Sequence, residues 1–350
     1  MDTTAHHAPD GTFRNPWEIS QGDAELRGRI REVAWDWITG DHPPDPEPGQ
    51  LPAEEPELAP APEAGARVTW VGHATTLIRL PGLTLLTDPV WSERCSPVPF
   101  WGPKRFVSAV PALTELPAVD AVLLSHDHFD HLDRFTVTAL HRRFGEGLTW
   151  FTPLGYRDWF RRRGITRVEE LDWWGEAELQ GYRIVCTPAR HWTRRTPWGT
   201  NRRLWSGWAV VPAEADPAMD SPVSSALPAE NPTPPAPRLW FAGDSAWCPA
   251  FAEIGARLGP FDLSLVPVGA YEPRWFMKAA HMTPEEAVRA FQEAGGAGIM
   301  VPIHWGTWRL TFEDPLEPRT RTRAAWGEAG LDPGGLALLR HGETVTVGGG

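Results

Sequence analysis

Cysteine is scarce in this chain: Cys95, Cys186 and Cys248 are the only three among 350 residues. They are too few and too scattered for a disulfide framework or a paired-cysteine metal knuckle. Their odd number predicts reduced thiols and a cytoplasmic setting. Long apolar runs are lacking too. No stretch reaches the roughly 18 uninterrupted apolar residues of a membrane-spanning helix, and Met1–Phe13 has no apolar core of signal-peptide type. Neither secretion nor membrane insertion is expected, while peripheral contact with a membrane surface stays open. Positive charge is also in deficit, with 33 basic against 45 acidic residues and a net charge of −12. Nucleic-acid binding relies on basic surfaces that neutralise phosphates, so no nucleic-acid partner is expected.

What the chain has in excess is tryptophan, 20 residues in all. Indole suits both core packing and lipid-interface positions, because one end is apolar and the other donates a hydrogen bond. Residues 43–64 are rich in proline and acid with almost no large apolar side chain, which predicts a linker or an extended wrap. Before them, Leu26, Ile30, Val33 and Trp37 recur at helical spacing within Asp23–Thr39. Residues 1–64 therefore read as an N-terminal arm that docks on a main domain, residues 65–350. A second low-complexity stretch, 212–237, reads as a disordered surface insertion between two strands.

Within the main domain, strands are predicted at Arg67–Val71, Thr76–Leu80, Leu83–Thr87, Ala121–Ser125, Gly181–Thr187, Leu204–Val211, Arg238–Ala242, Leu263–Val268 and Gly298–Ile303. Helices are predicted at Asp133–Phe144, Gly155–Arg163, Pro284–Ala294 and Pro318–Ala329. Early strands without intervening helices, followed by mixed elements, point to packed sheets flanked by helices.

The chemistry concentrates in Ser125-His126-Asp127-His128-Phe129-Asp130-His131. An apolar strand feeds this run and a helix follows it, with Asp133 placed as N-cap. The run is thus a strand-to-helix turn, which can aim alternate side chains at one point. Three imidazoles and a carboxylate there match the ligand set of zinc and similar borderline metals. Three more candidates follow the ends of apolar strands: His191 in Thr-Pro-Ala-Arg-His-Trp, Asp244 in Ala-Gly-Asp-Ser and His304 in Pro-Ile-His-Trp-Gly. Gly243 lets the backbone approach closely beside Asp244.

This ordered set resembles the metallo-β-lactamase fold. The likeness extends to the branch of N-acyl-phosphatidylethanolamine-hydrolysing phospholipase D. It is carried by Val-Thr-Trp-Val-Gly-His-Ala-Thr (68–75), Leu-Thr-Asp-Pro (86–89), Gly-Pro-Lys-Arg-Phe (102–106), Glu-Leu-Asp-Trp-Trp (170–174), Phe-Ala-Gly-Asp-Ser (241–245), Val-Gly-Ala-Tyr-Glu-Pro-Arg-Trp-Phe-Met (268–277), Pro-Glu-Glu-Ala-Val (284–288) and Ile-His-Trp-Gly-Thr (303–307). It covers roughly residues 65–345, with a fainter echo at Asn15-Pro16-Trp17. The chain departs from the family pattern at Ala280, at Arg134 and in the 212–237 insertion.

The resemblance implies an α/β (α+β) domain, an αββα sandwich of two mixed β-sheets flanked by helices. It implies two divalent metal ions, zinc the expected one. His126, His128 and His191 would hold the first, Asp130, His131 and His304 the second, and Asp244 would bridge. Asp130 would also orient the nucleophile. Tyr271 falls in the most specific run and is assigned to substrate binding. His281 stands just before a helix start, with Thr283 as N-cap, Pro284 in the first turn and Glu286 three residues past the cap, where anions are favoured. A phosphate-contacting or leaving-group-protonating role follows for it. His73 is expected to orient a loop beside the metals. His6, His7, His42, His141 and His341 receive no role.

The expected activity is a binuclear phosphodiesterase acting on N-acylated phospholipid or a related lipid diester. The alternatives are a lactonase or another ester hydrolase of the same superfamily, and a non-catalytic metal-binding interaction protein. The seven-ligand set argues against the last, since a structural zinc closes with four ligands. The resembled enzymes can dimerise, which makes a homodimer an open expectation.

Overall fold

The computed structural model describes residues 4–17, 43–51, 53–213 and 236–348. One sheet contains β1 (Ala66–Gly72), β2 (Thr75–Leu80), β3 (Leu83–Thr87), β4 (Ala121–Leu123), β5 (Thr149–Pro153), β6 (Val168–Leu171) and, from the C-terminal end, β13 (Thr344–Val347), in the order β13-β1-β2-β3-β4-β5-β6. The other contains β7 (Glu176–Leu179), β8 (Tyr182–Thr187), β9 (Gly207–Pro212), β10 (Leu239–Phe241), β11 (Phe261–Pro267) and β12 (Gly296–Ile303), in the order β12-β11-β10-β9-β8-β7. Both are mixed: β1 to β3 pair antiparallel and β3 to β6 parallel, while β7 to β10 pair antiparallel and β10 to β12 parallel.

Side-chain alternation explains the layering. Along β2 and β3, Ile78 and Leu85 enter the core between the sheets, while Leu77 and Leu86 face the other way into a second core. That second core is closed by α1 (Arg134–Phe144) and α2 (Arg157–Arg161), through Val137, Leu140 and Phe160. On the far side, α3 (Ala250–Leu258), α5 (Pro284–Glu293) and α6 (Glu317–Glu328) pack Phe251, Ile254, Phe291 and Trp326 onto the second sheet. A one-turn helix, α4 (Arg274–Met277), precedes α5. The result is the expected αββα sandwich.

Four strands and two helices lie beyond those predicted. Strands β6 (Val-Glu-Glu-Leu) and β7 (Glu-Ala-Glu-Leu) close the ends of the two sheets. Charge on an edge strand deters pairing with a stranger, at the expense of the apolar signal that marks a strand. The predicted helix at Asp23–Thr39 and all but the flanks of the 212–237 insertion lie outside the described residues. Residues 4–17 rest on the domain, with Phe13 N donating to Asn201 O at 2.8 Å. The proline-rich segment runs extended along the body. Leu51 is buried, Glu54 N donates to His341 O at 2.7 Å, and Ala59 O accepts from Arg79 Nη1 at 2.5 Å.

The pairing pattern positions the site. Strands β1, β3 and β4 share one direction, as do β8, β10 and β12. His73 follows β1, Asp88 follows β3 and His126 comes soon after β4. On the other sheet, His191, Asp244 and His304 follow β8, β10 and β12. All six positions therefore lie just beyond the C-terminal ends of like-directed strands.

Candidate metal centre

The turn after β4 is built to present some side chains and retire others. His131 N and Leu132 N both donate to His128 O, at 3.1 and 2.8 Å, which curls the chain tightly. Asp133 caps α1 by accepting from Phe135 N and Thr136 N at 3.1 and 3.2 Å. Arg195 Nη1 donates to Asp127 O and Leu132 O, each at 2.7 Å, and so ties the two ends of the turn together. Asp127 itself is turned aside, accepting from Arg194 N at 2.9 Å and Arg203 Nη1 at 2.8 Å.

The remaining side chains converge. His126 Nε2 lies 2.9 Å from His128 Nδ1, and His191 Nε2 lies 3.2 Å from that same atom. On the other side, Asp130 Oδ2 is 2.9 Å from His73 Nε2, 3.3 Å from His131 Nε2 and 3.5 Å from His304 Nε2. Asp244 Oδ2 stands between the two sets. It is 3.0 Å from His304 Nε2, 3.1 Å from His131 Nε2, and 3.9 Å from both His126 Nε2 and His191 Nε2. Only glycine fits before it: Gly243 has φ of 62°, and a Cβ there would come within 2.4 Å of Ser206 O.

A second ring of contacts fixes which nitrogen faces inward. His131 Nδ1 donates to Asp88 Oδ2 at 2.6 Å, which turns Nε2 toward Asp130 and Asp244. Ser125 Oγ donates to the same carboxylate oxygen at 2.5 Å, and His126 Nδ1 donates to Ser125 Oγ at 2.9 Å. His191 Nδ1 donates to Ala280 O at 3.0 Å. Such outer partners set tautomer and ring orientation in metal sites. Four indoles hold the backbone nearby: Trp70 donates to His73 O at 2.9 Å, Trp208 to Leu124 O at 2.9 Å, Trp205 to Ala189 O at 2.8 Å and Trp305 to Pro302 O at 3.1 Å. Four of the 20 tryptophans are thus spent at the strand ends that carry the site.

The electrostatics separate the imidazoles into two kinds. Burial and neighbouring imidazoles keep His126 well below the usual histidine value, and hold His73 and His128 at about 3. Burial takes His191 to about 4, with Asp244 partly offsetting it. Burial would also lower His131 and His304, but the carboxylates of Asp244 and Asp130 override it, holding His131 well above its ordinary value and His304 at about 9. Burial would raise Asp130 and Asp244, yet the facing imidazoles hold both well below the ordinary carboxylate value. The protein alone therefore balances two buried carboxylates with two protonated imidazoles, while the other rings keep their lone pairs.

This donor set fits divalent cations. Donor atoms lie within 4.8 Å of one another inside His126/His128/His191, inside His73/Asp130/His131/His304 and inside His191/Asp244/His281. Asp244 Oδ1 is buried and accepts no hydrogen bond, so it has a lone pair to give. Neutral imidazole and carboxylate are the ligands that zinc takes. His128 and Asp130 are only partly buried, which marks the side from which the cluster meets solvent. The Trp192 ring, 39% exposed, stands edge-on to His128 at 4.5 Å on that side.

All seven residues expected to bind metal meet here. His281 joins them, its Nδ1 4.0 Å from Asp244 Oδ2 and its ring 5.1 Å from that of His191. It sits ahead of a capping box in which Thr283 and Glu286 exchange hydrogen bonds at 3.0 and 3.3 Å. Tyr271 is placed otherwise. It is fully buried with the Arg321 guanidinium 4.7 Å over its ring, a position from which substrate contact does not follow. Sequence reasoning passed over Asp88, Ser125, Arg195 and Trp192. Asp88 had a legible signal, an acidic residue closing an apolar strand just as Asp244 does.

Comparison with known proteins agrees with this geometry. The β-lactamase superfamily domain matches residues 84–218 and 232–305. The structure of Igni18, a metallo hydrolase from the archaeon Ignicoccus hospitalis, superposes with a TM-score of 0.56 at 20% identity, covering 81% of this chain and 98% of that one. The fold and the comparisons together define a metal-dependent hydrolase of the metallo-β-lactamase fold. N-acyl-phosphatidylethanolamine-hydrolyzing phospholipase D 1 of Caenorhabditis elegans is 40% identical over 272 residues, 75% of this chain and 70% of the nematode protein. An uncharacterized protein of Mycobacterium tuberculosis is 38% identical over 320 residues, 90% of this chain and 78% of its own length. Within the superfamily, the chain belongs to the family of the N-acyl-phosphatidylethanolamine-hydrolysing phospholipases D.

Proposed function

We propose that the chain is a binuclear phosphodiesterase of phospholipase D type, acting on N-acylphosphatidylethanolamine or a closely related lipid diester. Water adds to phosphorus, the bond from phosphorus to the ethanolamine oxygen breaks, and N-acylethanolamine leaves with phosphatidic acid as the other product. His126, His128 and His191 would hold one ion, Asp130, His131 and His304 the other, and Asp244 both. Two zinc ions, when bound, supply a water of lowered pKa and charge stabilisation for the diester oxygens.

The protein's own groups do the rest. Asp130, held ionised chiefly by His131 and oriented by its hydrogen bond with His73, accepts a hydrogen bond from the attacking water and orients it toward phosphorus. His281 is held well below its ordinary value by burial, with Asp244 partly opposing, so at neutral pH it is an uncharged imidazole. It has one N–H to donate to a phosphoryl or leaving oxygen as charge develops there. The observation that carries the reading is Asp244 Oδ2, one carboxylate oxygen within 3.9 Å of imidazole nitrogens from both trios.

Contact with a lipid surface belongs to the same proposal. Among the described residues no helix is long and apolar enough to cross a membrane. Phe100, Trp101, Phe135, Trp192 and Trp198 are instead exposed, with Trp198 at 85%, and aromatic tips of this kind suit an interface between water and hydrocarbon. The deciding experiment measures turnover of the zinc-loaded protein on vesicles containing N-acylphosphatidylethanolamine and on a series of lactones. Release of N-acylethanolamine, lost in His128→Ala and Asp244→Ala while the fold persists, is expected. Lactone opening without diester cleavage would assign the carboxylic-ester reading instead.

A further inference from the structure

His6 and His7 have no part in the chemistry above, and their geometry is unusual. Neighbouring side chains in an extended segment point to opposite faces, so two successive imidazoles ordinarily cannot share a partner. Here a turn closed by His7 N donating to Thr4 O at 2.9 Å brings both rings to one carboxylate. His6 Nε2 lies 2.6 Å from Asp172 Oδ1 and His7 Nε2 lies 2.8 Å from Asp172 Oδ2, with the ring centroids 4.4 Å apart. The three donor atoms fall within 4.8 Å of one another.

Their surroundings differ in a useful way. His6 is 2% exposed and stacks on Trp173 with centroids 4.2 Å apart, which fixes one ligand rigidly. The side chains of His7 and Asp172 are 39% and 36% exposed, so an ion can arrive from solvent and keep water in a remaining position. We propose that His6, His7 and Asp172 form a further divalent-cation site, of the zinc class, separate from the buried cluster. Zinc–nitrogen and zinc–oxygen bonds of about 2.1 Å in tetrahedral array set donors about 3.4 Å apart, so the 2.6 and 2.8 Å contacts must each open by under about an ångström, through the partly exposed side chains of Asp172 and His7.

The site bears on the catalytic side of the molecule. It fastens the segment whose Asn15 Nδ2 donates to His191 O at 3.0 Å, and whose Phe13 N donates to Asn201 O at 2.8 Å. Asn201 N in turn donates to Thr193 O at 2.8 Å. An ion here would hold the arm against the loop that carries His191.

The test is zinc stoichiometry of the full chain by equilibrium dialysis and elemental analysis. The expected result is one equivalent less in His6→Ala/His7→Ala than in the unsubstituted protein. The same one-equivalent difference should persist in a His128→Ala background, which separates this site from the cluster and from the function proposed for it. His7→Ala, at an exposed side chain, and Asp172→Asn, which keeps a hydrogen-bonding group beside both rings, should each show the same deficit. They decide the matter if the double variant folds poorly. Equal zinc content in the unsubstituted protein, His7→Ala and Asp172→Asn overturns the proposal and leaves the trio as a hydrogen-bonded latch.

Discussion

Replacing Asp88 with asparagine changes one atom, yet the contacts of this side chain predict a large effect on a site it does not enter. Oδ1 accepts from Ser125 N at 2.7 Å, while Oδ2 accepts from Ser125 Oγ at 2.5 Å and from His131 Nδ1 at 2.6 Å. All three neighbours are donors, and an amide offers only one accepting oxygen. With its oxygen at the Oδ2 position, the new NH2 meets the Ser125 N–H. With its oxygen at the Oδ1 position, the NH2 faces His131 Nδ1, and the ring must move its proton to Nε2, the atom that belongs to the metal. Either orientation strands a buried donor at a cost of about 1–3 kcal/mol, and each 1.4 kcal/mol is a factor of ten in an equilibrium. Loss of outer partners of metal-binding histidines costs about 10–100-fold in affinity or activity, which agrees with that range. Zinc affinity by competition with a chromophoric chelator, together with turnover, should therefore fall about 10–100-fold in Asp88→Asn with far-ultraviolet dichroism unchanged. Affinity and turnover both within twofold of the unsubstituted protein would refute the argument.

Removing metal with a chelator should abolish turnover and lower the melting temperature, both restored by zinc. At free zinc 1,000 times Kd each ion adds about 4 kcal/mol, so an identical melting temperature with and without chelator would count against metal at the cluster. His281→Ala should lower kcat by about 100-fold, the lower end expected of a group that handles a proton, with zinc content unaltered; a loss of zinc would make His281 a ligand instead. His341, held at about 3 by burial and by Arg105, stays neutral in the fold at pH values where the unfolded chain protonates it. Its contribution to stability is therefore present above about pH 6.5 and is lost on acidification, by about 2 kcal/mol at pH 5. Urea unfolding at pH 7 and pH 5 should show a loss about 2 kcal/mol smaller in His341→Gln than in the unsubstituted protein, the buried histidines of the cluster contributing to both, and equal losses would contradict it.

The site was far more legible in the sequence than the arms and edges of the fold. Histidines packed into one turn, and acidic or imidazole residues closing apolar strands, are local signals, and those strands were readable because they are buried on both faces. Strands β6 and β7 were not readable, because an edge strand rich in glutamate obeys a different demand from a buried one. Asp88 escaped because its partners, Ser125 and His131, are distant in the chain and only sheet pairing brings them together. The tryptophans show a third limit. Composition fixed their abundance and suggested packing or lipid contact, but which backbone carbonyl each indole reaches is a property of the assembled sandwich.

The strand ends that surround the cluster belong to different sheets: His73, Asp88 and the 126–131 turn to one, His191, Asp244 and His304 to the other. Ions gripped from both sides would act as rivets through the seam of the sandwich, resisting shear between its halves. Loading would then be a mechanical event as well as a chemical one. When the ions are stripped, hydrogen exchange should quicken along the seam between the sheets rather than on the solvent side of either, first at the residues beside β4 and β10.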